Sequence, residues 1–456
     1  MDAVNRAGLR RIWVAGAFVL GWALVFAYGA LQLLAAPRGL FPAPESPPPL
    51  TKPRGRILTA DGQVLAVSPR RGERRYPLGT LAGQIVGYTE RARGRYGRGL
   101  AGIEGLRNLT LARGEDVWLT LDSRIQALAE AALARGMERA RARWGAVVVL
   151  GREGRVLAAA NAPFFDPQSP RGNPGEDPRL ANYAFRYLIE PGSTVKALTA
   201  AVLLEEGAVA PRERIPVPSA RKVADRRVRD WRWHPTEEWT LEEILAHSSN
   251  VGISILAERI PKATLYRYFE KLHLADGRIL AGLVARPLFP SLERWGPVEY
   301  ANATFGQGFA VTPLHLAAAT NALADGRFQR PWIFANDPAL SVRVFSERTA
   351  REVRAMLERR LATRARLPGY RLAGKTGTAQ IATRGGYDPE RVVALFAGLI
   401  PADQPRATAV VVLYDPQVPP KERYGSKLAA PVFRELAAGL LSLWGEPPVR
   451  AKLDVR

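Results

Sequence analysis

Ser193 and Lys196 stand three residues apart in Glu190-Pro191-Gly192-Ser193-Thr194-Val195-Lys196, just ahead of the apolar run Ala-Leu-Thr-Ala-Ala-Val-Leu-Leu. Pro and Gly end a loop there, and the run that follows predicts a buried helix. A Ser at a helix start lies at the positive end of the helix dipole. Residues i and i+3 share a helix face, so the Lys196 amine is within reach of the Ser193 hydroxyl. A hydroxyl becomes a nucleophile only with a base beside it. A lysine can be that base when burial and a neighbouring positive charge lower its proton affinity. This is the S-x-x-K arrangement. Taken alone, Ser193 reads equally well as an ordinary helix N-cap. The chain also holds a second match, Ser219-Ala220-Arg221-Lys222, between Pro218 and a basic run. No apolar helix follows that one, and it is read as chance.

Two further clusters complete a constellation. Ser248-Ser249-Asn250 follows the helical stretch Leu241 to His247. From a tight turn Ser248 and Asn250 can face one cleft, the hydroxyl relaying a proton and the amide holding a substrate amide. Gly374-Lys375-Thr376-Gly377-Thr378-Ala379-Gln380 reads as a strand after Tyr370-Arg371-Leu372-Ala373. A strand edge offers backbone N–H and C=O groups to an extended substrate. Gly377 permits close backbone approach. Lys375 supplies positive charge for a carboxylate, and Thr376 or Thr378 a hydroxyl. Each motif alone has a bland reading: a helix connection for the second, an edge strand guarded by Lys for the third. Together they occur in the order S-x-x-K, S-x-N, K-T-G-T, and two of only nine lysines fall within them.

The elements needed to hold these residues are legible as an α/β arrangement. Gly145 to Leu150 is a continuous apolar run, hence a buried strand, and Arg155 to Ala160 is its hairpin partner. A helix-rich middle spans about 194–324. Late strands are expected at Arg371–Thr378, Arg391–Leu399 and Thr408–Tyr414, and a closing helix at about 430–443. One antiparallel sheet flanked by helices is the predicted fold of residues 141–456. Residues 54–140 read as a small, mainly β module. Its signals are the hairpin turn Asp61-Gly62, a strand at Val117 to Asp122, and a helix from about Ser123 to Arg143 capped by Asp122 or Ser123.

Upstream, Ile12 to Ala36 is apolar except for Gln32, and ~20 such residues span a bilayer. Arg6, Arg10 and Arg11 precede it. The expected topology is a cytoplasmic tail (1–11), a single transmembrane helix (12–36) and an exported remainder. The run is too long for a typical signal-peptide core of ~7–15 residues. Residues 37–53 form a Pro-rich, stiff linker. The net charge of +22 raises nucleic-acid binding as a possibility, but the basic residues are scattered and match no nucleic-acid-binding signature. With no Cys, the chain has no disulfide and no thiol nucleophile. The four His show no metal-ligand spacing, so neither metal nor cofactor is expected.

At these motifs the sequence resembles the class B penicillin-binding proteins, within the serine penicillin-recognising superfamily. Further stretches carry the likeness: Arg54-Gly55-Arg56-Ile57, Gly102-Ile103-Glu104, Leu119-Thr120-Leu121-Asp122, Thr304-Phe-Gly-Gln-Gly308 and Ala429-Ala430-Pro431-Val432-Phe433. Thr59-Ala60-Asp61-Gly62 departs from the family's usual Asp-Arg-Asn-Gly. His315 stands where Gln is common, and only Phe396 remains of a frequent aromatic pair. The resemblance implies a pedestal followed by a transpeptidase domain that cross-links peptidoglycan stem peptides. It makes Ser193 the nucleophile on a penultimate D-Ala and Lys196 its base. Ser248 relays a proton with Lys375, Asn250 binds the acyl chain's amide, and Thr376 and Thr378 hold the terminal carboxylate. Backbone N–H groups of Ser193 and Thr378 form the oxyanion hole. It also implies trapping by β-lactams, a cytoplasmic-membrane location with the catalytic domain outside, and a polytopic SEDS-family glycosyltransferase partner. Rival readings are a β-lactam sensor, a β-lactamase, and a catalytically weak scaffold or activator of the wall polymerase.

Overall fold

The computed structural model describes residues 52–92, 95–170, 177–275, 279–383 and 386–448. The expected anchor and most of the linker lie outside these residues. Among the described residues no helix is long and apolar enough to cross a membrane.

Apolar residues fill Gly145 to Leu150 and, apart from Thr408, Ala407 to Leu413, so these strands must be covered on both faces. They form the middle of a five-stranded antiparallel sheet. Its order is Ala373–Thr383, Gly386–Ile400, Ala407–Pro416, Ala142–Gly151, Val156–Ala162. Because side chains alternate along a strand, neighbours feed different cores. Ala146, Val148 and Leu150 join the core under the helical lobe, while Val147 and Val149 join a second core behind the sheet. The helix Pro313–Asn321 covers the front face. The helices Ser123–Ala140 and Gly425–Leu443 cover the back. A sequence boundary at 140/141 groups Ser123–Ala140 with the N-terminal module, yet its packing partners are the sheet and the closing helix. The strands extend past the expected ends because backbone pairing continues into the Gly386–Asp388 arm, beyond a register shift at Gln380/Ile381.

The N-terminal module is built around the predicted hairpin. Ile57–Leu58 pairs antiparallel with Val64–Ala66 across the Asp61-Gly62 turn, and parallel with Val117–Trp118. Three short helices, Gly83–Val86, Gly102–Leu106 and Asn108–Ala112, make it less purely β than expected. Its apolar interior encloses an ionic cluster. Glu104 is fully buried and meets Arg54 at 2.9 Å and Arg74 at 2.5 Å. Tyr76 donates to the same carboxylate at 3.3 Å. Two stretches of the family resemblance, around Arg54 and Glu104, thus meet at one buried site. The Asp61 carboxylate then ties the hairpin to the next helix, accepting from Ser123 N at 2.9 Å and Ser123 Oγ at 2.5 Å. Asp122 is the N-cap of that helix.

Candidate active site

Pro191 and Gly192 deliver the chain into a 3₁₀ turn, Gly192–Val195, which runs on as the α-helix Lys196–Glu205. In a 3₁₀ turn residues i and i+3 eclipse, so Ser193 and Lys196 stack one above the other. Lys196 Nζ lies 3.0 Å from Ser193 Oγ. Gly192 has φ +52°, a left-handed conformation that suits glycine. Its N–H donates to Gly306 O at 2.9 Å, so the 304–308 segment cradles the turn. Glu190 is tied in as well. Its Oε1 accepts from Gly308 N at 3.0 Å and from Tyr387 OH at 2.8 Å, and burial pushes its carboxyl up.

The second motif sits between two helices, Leu241–His247 and Asn250–Ala257. The first begins with a capping box, Thr240 with Glu243, which fixes where it starts. Ser248 is its C-cap at φ +55° and Ser249 the N-cap of the next. A non-glycine residue in that region carries strain of order 1–2 kcal/mol. The turn sends Ser248 toward both lysines. Lys196 Nζ donates to Ser248 O through a short hydrogen bond and lies 3.3 Å from Ser248 Oγ. Lys375 Nζ is 2.9 Å from the same hydroxyl. Four predicted residues therefore form one chain: Ser193 Oγ, Lys196 Nζ, Ser248 Oγ, Lys375 Nζ.

Lys375 projects from Ala373–Thr383, the edge strand of the sheet. Gly377 lets the nucleophile turn come close. A Cβ there would sit 3.0 Å from Thr194 Cγ2 and 3.2 Å from Pro191 O. Thr376 and Thr378 are half-buried. They pair with Phe396 and Ala394, so their Cβ atoms share the face of the closing helix. Thr378 Oγ1 accepts from Gly425 N at 3.1 Å, at the start of that helix. Asn250 Nδ2 donates to Arg229 O at 3.1 Å, which fixes the amide and leaves Oδ1 to accept. The second S-x-x-K match is in no helix. Ala220–Val223 is a strand paired with Arg226–Arg229.

Both lysines are buried, Lys196 completely. Desolvation disfavours an ammonium. Burial, then the Lys375 charge, hold Lys196 well below the ordinary lysine range, against an opposing pull from Asp230. Burial alone pushes Lys375 down to about 8. For Lys196 the direction favours the neutral amine, the form in which a lysine acts as a base. Among the described residues no group of three His, Asp or Glu could hold a metal ion.

Residues 144–438 match the model of the penicillin binding protein transpeptidase domain. The chain belongs to the class B penicillin-binding proteins. This transpeptidase is 31% identical over 413 residues to the probable peptidoglycan D,D-transpeptidase PenA of Neisseria gonorrhoeae, covering 83% of this chain and 70% of that one. It is 33% identical over 357 residues to peptidoglycan D,D-transpeptidase FtsI of Escherichia coli K12, covering 76% and 59%. The crystal structure of penicillin binding protein 3 from Mycobacterium tuberculosis superposes with a TM-score of 0.80 at 29% identity, covering 87% of this chain and 98% of that one. A sheet flanked by helices, with the S-x-x-K turn against its edge strand, is therefore the fold of the transpeptidase domain. Asp230, which accepts from the backbone of the second motif, is the residue that motif reading passed over. It stands 18 positions before Ser248 with no spacing signal of its own.

Proposed function

We propose that this penicillin-binding protein cross-links stem peptides through an ester on Ser193, and the observation that carries this is the four-residue hydrogen-bonded chain from Ser193 to Lys375. The chain is a peptidoglycan D,D-transpeptidase of cell-wall synthesis. Neutral Lys196 takes the Ser193 proton as Oγ attacks the carbonyl of the penultimate D-Ala. The proton passes by Ser248 to the departing D-Ala amine, with Lys375 holding the relay in place. An amine of a neighbouring stem peptide then attacks the ester, returns its proton along the same path and frees Ser193. The donor peptide adds to the edge strand as an extended chain, with Asn250 Oδ1 accepting from its amide and Thr376 and Thr378 assigned to its terminal carboxylate. The N–H groups of Ser193 and Thr378 are assigned to the oxyanion, a contribution of about 3 kcal/mol for each donor. β-Lactams enter the same cleft; a solved relative, at 29% identity, was complexed with ampicillin.

The proposal places the enzyme on the outer side of the cytoplasmic membrane, held by the helix expected over 12–36. Cross-linking acts on glycan strands made by a polymerase, which fits a SEDS-family glycosyltransferase as partner. The domain limits 54–140 and 141–456 belong to this reading too. Release of D-Ala from a synthetic pentapeptide donor tests the chemistry. Wild type is expected to release it in the presence of an acceptor amine, and Ser193→Ala is not. Equal release by the two proteins would remove Ser193 from the mechanism.

A further inference from the structure

Asp230 lies outside all three motifs, on the loop after the strand Arg226–Arg229. Its carboxylate is only 4% exposed and is saturated with donors. Oδ1 accepts from Asn250 N at 2.6 Å and Val251 N at 3.0 Å. Oδ2 accepts from Ser249 Oγ at 2.6 Å and lies 3.1 Å from His234 Nε2. The first N–H groups of a helix have no partner within it. In the helix Asn250–Ala257, Asp230 takes the first two and Ser249 Oγ takes Gly252 N at 2.8 Å. A carboxylate is favoured there by the helix dipole as well.

These contacts lock the residues that follow the reacting hydroxyl. Ser248 is in the left-handed region, and a short turn left to itself relaxes from it. Behind it, Ser248 N and Ser249 N close on Leu245 O and Ile244 O. Ahead of it, Asp230 grips the backbone N–H groups of Asn250 and Val251, while Lys196 Nζ donates to the carbonyl of Ser248 itself. His234 steadies Asp230 in turn. Its other nitrogen, Nδ1, is 2.7 Å from Pro235 O, and its ring packs on Trp239, which stacks on His247.

We propose that Asp230 is a positioning residue of the transpeptidase site, holding the Ser248–Asn250 turn so that Ser248 Oγ bridges Lys196 and Lys375. It also supplies the negative charge that Lys196 feels against the Lys375 cation. Asp230 itself faces His234. The inference rests on the Ser193 acyl-enzyme reading.

The test is the rate of acylation by a fluorescent penicillin across pH, for the full chain and for Asp230→Asn and Ser249→Ala, with melting temperatures alongside. Asp230→Asn is expected to lower the plateau rate about a hundredfold, the scale of a small misplacement at a reacting centre. Its acid limb should move to lower pH, because the charge that favours protonated Lys196 is gone. Ser249→Ala keeps that charge, so its plateau should fall with its acid limb unmoved. If wild type does not label, the acyl-enzyme reading itself fails. If wild type labels and Asp230→Asn matches it in rate and profile, the positioning role is overturned. A lower plateau with an unmoved limb and a lower melting temperature in Asp230→Asn also overturns it, leaving a purely structural residue. Should Asp230→Asn not fold, Ser249→Ala decides: a wild-type plateau overturns the proposal, and a lowered plateau at the wild-type melting temperature supports it.

Discussion

Ser248 holds a left-handed backbone that costs of order 1–2 kcal/mol in a residue with a Cβ. Replacing it with Gly relieves that strain and removes the hydroxyl between the two lysines. Ser248→Gly should therefore melt no lower than wild type while acylation by penicillin falls about 10²–10⁴-fold. Calorimetry and labelling of the same preparation check both halves. The lysines make a second prediction. The base works neutral, and Lys196 is held well below the usual lysine range, so acylation should rise as pH climbs through a midpoint far below that range. Lys375 works as a cation and its value is about 8, so acylation should fall again above about pH 8. A rate still climbing at pH 10 would remove the cationic role of Lys375. These residues were readable because each motif is punctuated by Gly, Pro or a polar turn. The left-handed Ser248 was not, since Ser is not a residue that announces positive φ. Asp230 was not either, since its partners lie 19 to 21 residues along the chain.

The edge strand and the nucleophile turn touch through Gly377. Gly377→Ala would press a methyl against Thr194 Cγ2 and Pro191 O. Crowding of this kind costs about 1–3 kcal/mol. The strain falls where Ser193 must meet the strand, so acylation should drop more than stability does. A variant that labels at the wild-type rate would show that the two elements have room to move. On the back of the sheet the matched contact has no chemistry in it. A Cβ at Gly398 would lie 2.7 Å from the Phe433 ring, which packs 4.4 Å from Phe396. The same Cβ would lie 2.7 Å from Ala373 O on the edge strand, so Gly398→Ala should cost more in melting than Gly377→Ala, with a smaller effect on the acylation rate per folded molecule. The element types were legible from local signals: continuous apolar runs for strands covered on both faces, and a cap at Asp122 or Ser123 for the helix expected from about Ser123 to Arg143. What such a helix packs against is not written in its cap. That is why this helix reads with the module before it and packs with the sheet after it.

Across the molecule, the N-terminal module depends on a buried Arg54–Glu104–Arg74 cluster. Removing Glu104 strands two buried guanidinium groups. Glu104→Ala is expected to cost about 3–5 kcal/mol, read as lost denaturant resistance, with Ser193 still labelled in the fraction that remains folded. Labelling lost in molecules that stay folded would instead tie the module to the active site. The sequence pattern placed Arg54 and Glu104 in separate stretches. Their meeting is a long-range contact that no local spacing encodes, and the same is true of the Asp61–Ser123 tie. The large-scale plan was easier to read, because a sheet buried on both faces and a helical lobe each need long apolar segments in a fixed order.

The most direct test is the mass of the intact protein after exposure to penicillin, followed by peptide mapping. One adduct per chain, on the peptide that carries Ser193 and absent from Ser193→Ala, is the predicted result. An adduct on Ser219, or none on a folded wild-type chain, would contradict the account.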